Sequence, residues 1–169
     1  MSSNRFLSLV NGIWEQLTAI NTSAGAGDAD KIIATDSSGK IDSSFMPVGI
    51  GPDTVTIQAS ENLAAGDFIN IHNDTGPRVR KADATNTRPA SGFVLASVTS
   101  GQNATVYLSG RNTGLTSLTP GTRYYLSDSA AGGATATAPA DSGEIVQYLG
   151  TADSATSLVF EDNGYIAIA

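Results

Sequence analysis

From Thr54 onward the apolar residues fall largely at alternate positions, and clusters of Gly, Pro, Asn and Ser interrupt them roughly every 8–12 residues. A period of two places successive side chains on opposite sides of a sheet and cannot build the single apolar face that a packed helix needs. Val55 and Ile57 alternate with Thr54, Thr56 and Gln58. Phe68, Ile69 and Ile71 follow the turn at Ala65-Gly66, and Val79 with Arg80-Lys81 reads as an exposed or edge strand, where basic side chains discourage edge pairing. Further strand signals lie at 93–98, 105–108, 124–126, 134–138, 145–149, 157–160 and 165–168. So many short strands between turn signals predict a β-barrel or β-sandwich over 53–169.

The same stretch is internally similar. Leu63-Ala64-Ala65-Gly66 ahead of Phe68-Ile69-Asn70-Ile71 matches Leu118-Thr119-Pro120-Gly121 ahead of Tyr124-Tyr125-Leu126. Ser91-Gly92 ahead of Val94-Leu95 matches Ser142-Gly143 ahead of Ile145-Val146, and the run from Ala104 to Leu108 matches the run from Ala155 to Phe160. The offsets are 55, 51 and 51 residues. A duplicated four- or five-stranded unit, closing into one barrel or sandwich, is the simplest account.

The N-terminal part reads differently. Phe6, Val10, Ile13, Leu17 and Ile20 recur at spacings of four, three, four and three, a heptad seam. That spacing predicts an amphipathic helix over 1–23, starting near Asn4 with Ser2 or Ser3 as its cap. Val10 and Leu17 take the a positions, and Phe6, Ile13 and Ile20 take d, where Ile favours three or four strands over two. Leu7, Leu9 and Trp14 widen the apolar surface, while Gly12 costs a helix about 1 kcal/mol relative to Ala. Such a helix exposes too much hydrocarbon to stand alone, so Phe6, Val10, Ile13, Trp14, Leu17 and Ile20 are the candidate oligomer or capsid contacts.

A linker, Ala24-Gly25-Ala26-Gly27, opens the segment 24–52. Lys31 to Thr35 then reads as a strand, Asp36-Ser37-Ser38-Gly39 as a turn, and Lys40-Ile41-Asp42 as a returning strand. Ser43 and Ser44 offer a cap before Phe45-Met46, Pro47 closes the element, and the punctuation from Val48 to Pro52 marks a domain boundary.

The run from Gly27 to Pro47, reading GDADKIIATDSSGKIDSSFMP, resembles a segment of bacteriophage virion decoration proteins, the capsid-cement and head-fibre family, with related segments in tail fibres. The phrase LTPGTRYYLS at 118–127 is similar to a segment of phage fibre and cement C-terminal domains. The resemblance implies a short N-terminal helix ahead of a β-rich domain, a homotrimer, a virion location, and the major capsid protein or other virion proteins as partners.

Composition bears on the chemistry. Hydrophobic residues make up 40% of the chain and charged ones only 15%, so Ser, Thr, Asn, Gly and Ala must cover much of the surface. That balance suits a close-packed or self-associating β protein better than a cytosolic enzyme. A formal net charge of −7 argues against a nucleic-acid surface, and without Cys there are no disulfides or thiolate metal sites. No secretory leader or membrane-length apolar run is visible, which leads us to expect no membrane partner and assembly in a host cytoplasm.

His72 is the single histidine, in the run Ile71-His72-Asn73-Asp74, and no G-x-S-x-G elbow accompanies it. Asp28, Asp30, Asp36 and Asp42 could offer oxygen ligands, but without the regular spacing of a calcium loop they read as turn caps. Glu161-Asp162-Asn163-Gly164 reads as a hairpin turn rather than an acid–base pair. Tyr107, Tyr124, Tyr125, Tyr148, Tyr165 and Trp14 are either core and interface residues or a carbohydrate-stacking face. The expectation is therefore a non-enzymatic structural protein with no cofactor, catalytic residue or metal. Its two candidate roles are capsid decoration or cementing as an oligomer, and a tail-fibre or baseplate subunit that binds a host receptor.

Overall fold

The computed structural model describes residues 5–46 and 51–169, and the chain divides into two compact units, Met1–Gly51 and Pro52–Ala169. The cap at Ser2 or Ser3, Pro47 and the punctuation at Val48-Gly49-Ile50 lie outside the described residues.

The first unit overturns the expected N-terminal helix. Arg5–Val10 (β1) and Ile13–Thr18 (β2) form an antiparallel hairpin in which Val10 pairs with Ile13 across a two-residue turn. The turn residues Asn11 and Gly12 both have positive φ, 50° and 81°. Two-residue hairpin loops of this kind need positive φ at both positions, and Asn-Gly is the pair that supplies it best. The residue that weakens a helix at position 12 is thus the one a hairpin requires. The heptad spacing misled because four-three-four is symmetric about the turn. The same residues that would make a seam become the cross-strand pairs Phe6↔Leu17 and Val10↔Ile13.

The expected hairpin at 31–42 is a turn without strands. Asp36 folds the chain back on its own, accepting from Ser38 N at 2.8 Å and Lys40 N at 2.9 Å, while Gly39 N donates to Asp36 O. The flanks do not pair with each other. Ile33 instead bridges Ile20 in parallel, through Ile20 N to Ile32 O and Ala34 N to Ile20 O. Asp42, rather than Ser43 or Ser44, caps the short 3-10 turn Ser43–Phe45.

The second unit is all β. Thr54–Ala59 (β3), Phe68–Asn73 (β4), Pro77–Lys81 (β5), Gly92–Val94 (β6) and Asn103–Tyr107 (β7) close into a barrel of order β3-β5-β4-β6-β7. The parallel pairing of β3 with β5 closes it, and every other pairing is antiparallel. β5 is therefore not an edge: it lies between β3 and β4, and its Val79 is fully buried. Ile69, Val79, Val94, Ala104 and Val106 fill the barrel interior with Ala59 and Leu63.

Gly110–Asn112 (β8), Arg123–Leu126 (β9), Ala134–Thr135 (β10), Tyr148–Ala152 (β12) and Leu158–Phe160 (β13) form a second sheet of order β10-β9-β12-β13-β8. Ile145–Val146 (β11) pairs separately with Ile166–Ala167 (β14). The turn at Glu161–Gly164 consequently leads from β13 to a strand paired elsewhere and is not a hairpin loop.

The two sheets are the duplicated unit. Opened between β3 and β5, the barrel reads β5-β4-β6-β7-β3, the same order as the second sheet. The registers repeat as well. Asn70↔Arg80 and Ile71↔Val79 recur as Tyr125↔Thr135 and Leu126↔Ala134. Ile69↔Gly92 recurs as Tyr124↔Gly150, Val94↔Val106 as Ala152↔Leu158, and Val55↔Val106 as Asn112↔Leu158. Gly92 thus corresponds to Gly150, not to Gly143. The duplication does not close into one barrel, since each copy keeps its own sheet.

A shared core joins the copies. Phe68 and Phe93, on the outer side of the barrel strands, meet Phe160 at centroid distances of 5.6 and 6.0 Å. Leu126, Ile145, Leu149 and Leu158 complete this core. The buried Gln147 clamps both backbone groups of Ala90, accepting from its N at 2.6 Å and donating to its O at 2.8 Å.

Candidate attachment surface

Two-stranded ribbons are at best marginally stable in water unless one face is covered. In β1 and β2, residues that pair across an antiparallel ladder share a face. Phe6 and Leu17 lie on one face with Ser8, Glu15 and Ile13, and Leu7, Leu9, Trp14 and Gln16 lie on the other. Both faces therefore carry large apolar side chains. Leu7, Ile13 and Trp14 are about as exposed as each other, at 71%, 67% and 68%, and Leu9 and Phe6 are also open. Leu17 is half-buried.

Of the six candidate contact residues, the hairpin brings together Phe6, Ile13 and Leu17 on one face, with Val10 paired to Ile13 in the ladder. It places Trp14 on the opposite face, against Leu9. Ile20 falls outside the hairpin and is partly buried at its bridge to Ile33. Ile33 and Asn21 line a groove beside Phe6, and Ile33, Ile41 and Met46 are exposed apolar residues of the same unit. The sequence does not mark the last three as contacts: Ile33 and Ile41 read as residues of two short strands, and Met46 as the end of the pair that Pro47 closes.

The carboxylates of this unit act within its turns. Asp28 accepts from Ala24 N at 2.6 Å and pairs with Lys31 Nζ at 2.5 Å; the Lys31 hydrogen bond, then that of Ala24, holds its carboxyl below the ordinary range. Bonds from Ser44 lower Asp42 in the same way.

The tyrosines divide. Tyr124 is buried, its hydroxyl accepting from Thr119 N at 2.9 Å. Tyr107 stacks on Phe93 with ring centroids 5.4 Å apart. Tyr125, Tyr148 and Tyr165 gather around a surface hollow with Asn163, and the Arg123 guanidinium lies 5.9 Å over the Tyr148 ring. Trp14 belongs to the other compact unit. His72 lies at the end of β4 opposite Arg78.

The chain is thus a mainly β protein: a duplicated barrel-and-sheet domain, with an apolar hairpin in its other unit. No protein-family model matches it. No curated protein matches it either. Among solved structures it is similar to the head fiber gp8.5 N base of bacteriophage phi29, at 14% identity and a TM-score of 0.39, over 64% of this chain and 92% of that one. A likeness of that size is too weak to carry a fold or a role from one chain to the other.

Proposed function

We propose that this is a structural bacteriophage virion protein, without enzymatic activity, that decorates or cements the capsid as a homotrimer. The observation that carries the attachment reading is the hairpin β1–β2, with apolar side chains open on both faces. Burying one exposed Leu, Ile or Trp side chain in a contact contributes about 1.5–3 kcal/mol, so a few of them supply the drive for association. The virion and trimer assignments rest on the resemblance of residues 27–47 and 118–127 to decoration and fibre segments. The major capsid protein, or a neighbouring virion protein, is the partner in this reading, and the duplicated β-domain is the part that projects or bridges.

The hollow formed by Tyr125, Tyr148 and Tyr165 favours a second reading, a tail-fibre or baseplate subunit whose β-domain binds a host receptor. Copy number separates the two, many per virion for a cement protein and few for a tail fibre.

Sedimentation equilibrium tests the association. We expect three chain masses for the natural protein and one for the double variant Ile13→Asp/Trp14→Asp, with the β-domain melting unchanged in both. Both positions are exposed, so the charges strain nothing within the single chain. A natural protein that stays monomeric at micromolar concentration, or a double variant that still trimerises, rules out the hairpin as the assembly surface.

A further inference from the structure

Where the second sheet adjoins the ribbon β11–β14, Tyr125, Tyr148 and Tyr165 line a hollow of about 210 Å³. We propose that this hollow binds one neutral pyranose ring of a glycan, which gives the receptor-binding reading above its ligand class and rests on that reading.

Strand alternation puts the rings there. Tyr124 and Leu126 of β9 belong to the shared core, so Tyr125 between them stands on the other side of the sheet. Its register partner Tyr148 of β12 lies beside it, with ring centroids 6.0 Å apart at 64°. The Tyr148 ring is held twice. Its hydroxyl shares a hydrogen bond with Thr151 Oγ1 at 2.8 Å, and the Arg123 guanidinium lies over its face. A ring fixed before binding loses little freedom when a ligand arrives. Val146 and Ile166, paired between β11 and β14, add aliphatic surface.

The loop 161–164 supplies the polar edge. Asn163 Nδ2 donates to Glu161 O at 3.2 Å, and Gly164 N donates to Asp162 Oδ1 at 3.1 Å. A carbonyl oxygen only accepts, so the first contact orients the Asn163 amide and leaves its Oδ1 as an acceptor. Asn163 Oδ1 and the hydroxyls of Tyr125 and Tyr165 have no hydrogen-bond partner among the described residues. Asn163 and Tyr165 are exposed, so a ligand can reach both.

No charged residue lines the hollow, in a protein of net charge −7, so neither an acid nor a cation gains an ion pair there. The electron-rich faces of aromatic rings attract the polarised C–H groups of a pyranose. Tyrosine hydroxyls donate and accept, as sugar hydroxyls do, and the amide oxygen takes a further hydroxyl proton. A purely apolar group would meet the rings but take water from those polar atoms without replacing its hydrogen bonds. The volume falls below the roughly 300–1,000 Å³ of a drug-sized site, which suits one ring rather than a folded segment.

NMR titration of the 15N-labelled full chain tests the site, with methyl glucoside, methyl galactoside, sorbitol and cyclohexanol as probes. The methyl group stands in for the linkage to a glycan chain. At least one glycoside should move the Tyr125, Tyr148 and Gly164 amide resonances saturably at roughly millimolar concentration, the scale of a single-ring contact. Sorbitol offers hydroxyls without a ring and cyclohexanol a ring with one hydroxyl, and both should leave the resonances in place. Tyr165→Ala should weaken the glycoside about tenfold without a change in melting temperature, and Tyr165→Phe, which keeps the ring, should weaken it less. The proposal is overturned if neither glycoside saturates, if only the free hexoses bind, if sorbitol or cyclohexanol gives the same shift, or if Tyr165→Ala binds as the natural chain does. Copy number per virion tests the receptor-binding reading separately: a low count without glycoside binding keeps that reading and rejects the sugar.

Discussion

The two halves of the Pro52–Ala169 unit have one strand order and one register, yet the first closes into a barrel and the second stays open. The difference lies in the strands that would have to meet. β3 and β5 run six and five residues and pair through Gln58↔Arg78 and Ala59↔Val79. Their counterparts β8 and β10 run only three and two residues. The gap they leave is occupied from the first half. Gly66 O accepts from the buried Asn112 Nδ2 at 2.8 Å, at the last residue of β8, and Phe68 N donates to Gly132 O at 2.9 Å, just before β10. The backbones at Gly66 and Gly114 touch so closely that a side chain at either would strike the other. An open sheet edge is a liability unless it is covered, and here the duplicate covers it. The same strand order, with shorter edge strands in the second half, thus makes one interlocked domain.

The equivalence of the copies is most exposed to test at Gly92 and Gly150. Each faces a carbonyl of the neighbouring strand, Tyr107 O and Val159 O respectively, and those two residues are themselves equivalent in register. A Cβ at Gly92 would lie 2.5 Å from Tyr107 O. At Gly150 the approach is closer still, and φ of 147° is a backbone conformation that side chains rarely adopt. We expect Gly150→Ala to lose more than about 4 kcal/mol in urea denaturation and Gly92→Ala about 1–3 kcal/mol. Two mild substitutions, or the reverse order, break the structural correspondence.

The joint between the halves is the next target. Gln147→Leu keeps the volume but strands Ala90 N–H and C=O in a buried site, at roughly 1–3 kcal/mol for each orphaned group. We expect a loss of about 3 kcal/mol, with Gln147→Glu intermediate because it keeps the acceptor for Ala90 N. A Leu variant as stable as the natural protein shows that the apolar core around Phe160 joins the halves without the clamp.

How much of this was legible follows from what each signal measures. Alternation found most of the strands, and the LTPG and LAAG phrases found the 55-residue offset, because a turn glycine and the strand after it must be copied together. It missed β8, whose Gly110-Arg111-Asn112 carries no apolar residue to alternate. It mispaired Gly92 with Gly143, since the structural match Gly150 sits beside a register shift between Tyr148 and Gly150 that no constant offset reproduces. Closure depends on strand length and on the insertion of Gly66–Phe68, neither of which leaves a periodic trace. At the N-terminus a symmetric spacing fitted two geometries, and the two-residue turn signal at Asn11-Gly12 outweighed the seam. Of the candidate contacts, the residue types were legible but their faces were not: Trp14 and Ile13, neighbours on a widened seam, point to opposite sides of a ribbon.

The smallest expected effect separates the halves by charge rather than by packing. The residue 55 positions after His72 is Ser127, which cannot titrate and uses its hydroxyl to accept from Ser129 N and Ala130 N. His72 is held neutral by burial and then by Arg80; Arg88 acts in the same direction, and Asp74 and Glu61 oppose it. Its folded pKa therefore lies below the unfolded value near 6.5, and the unfolded chain binds the proton first as pH falls. The resulting stability is fully present above pH 6.5 and declines below it, until the folded imidazole also titrates. One proton limits the slope to about 1.4 kcal/mol per pH unit. Urea denaturation between pH 7 and the onset of carboxylate titration should show this decline in the natural chain. His72→Ser, which installs the second half's residue, should flatten it whatever its effect on absolute stability. Amide exchange should place the loss in β4 and β5 and spare β9 and β10. A slope that survives in His72→Ser would have to come from carboxylates, and the two copies would then share their acid response as they share their register.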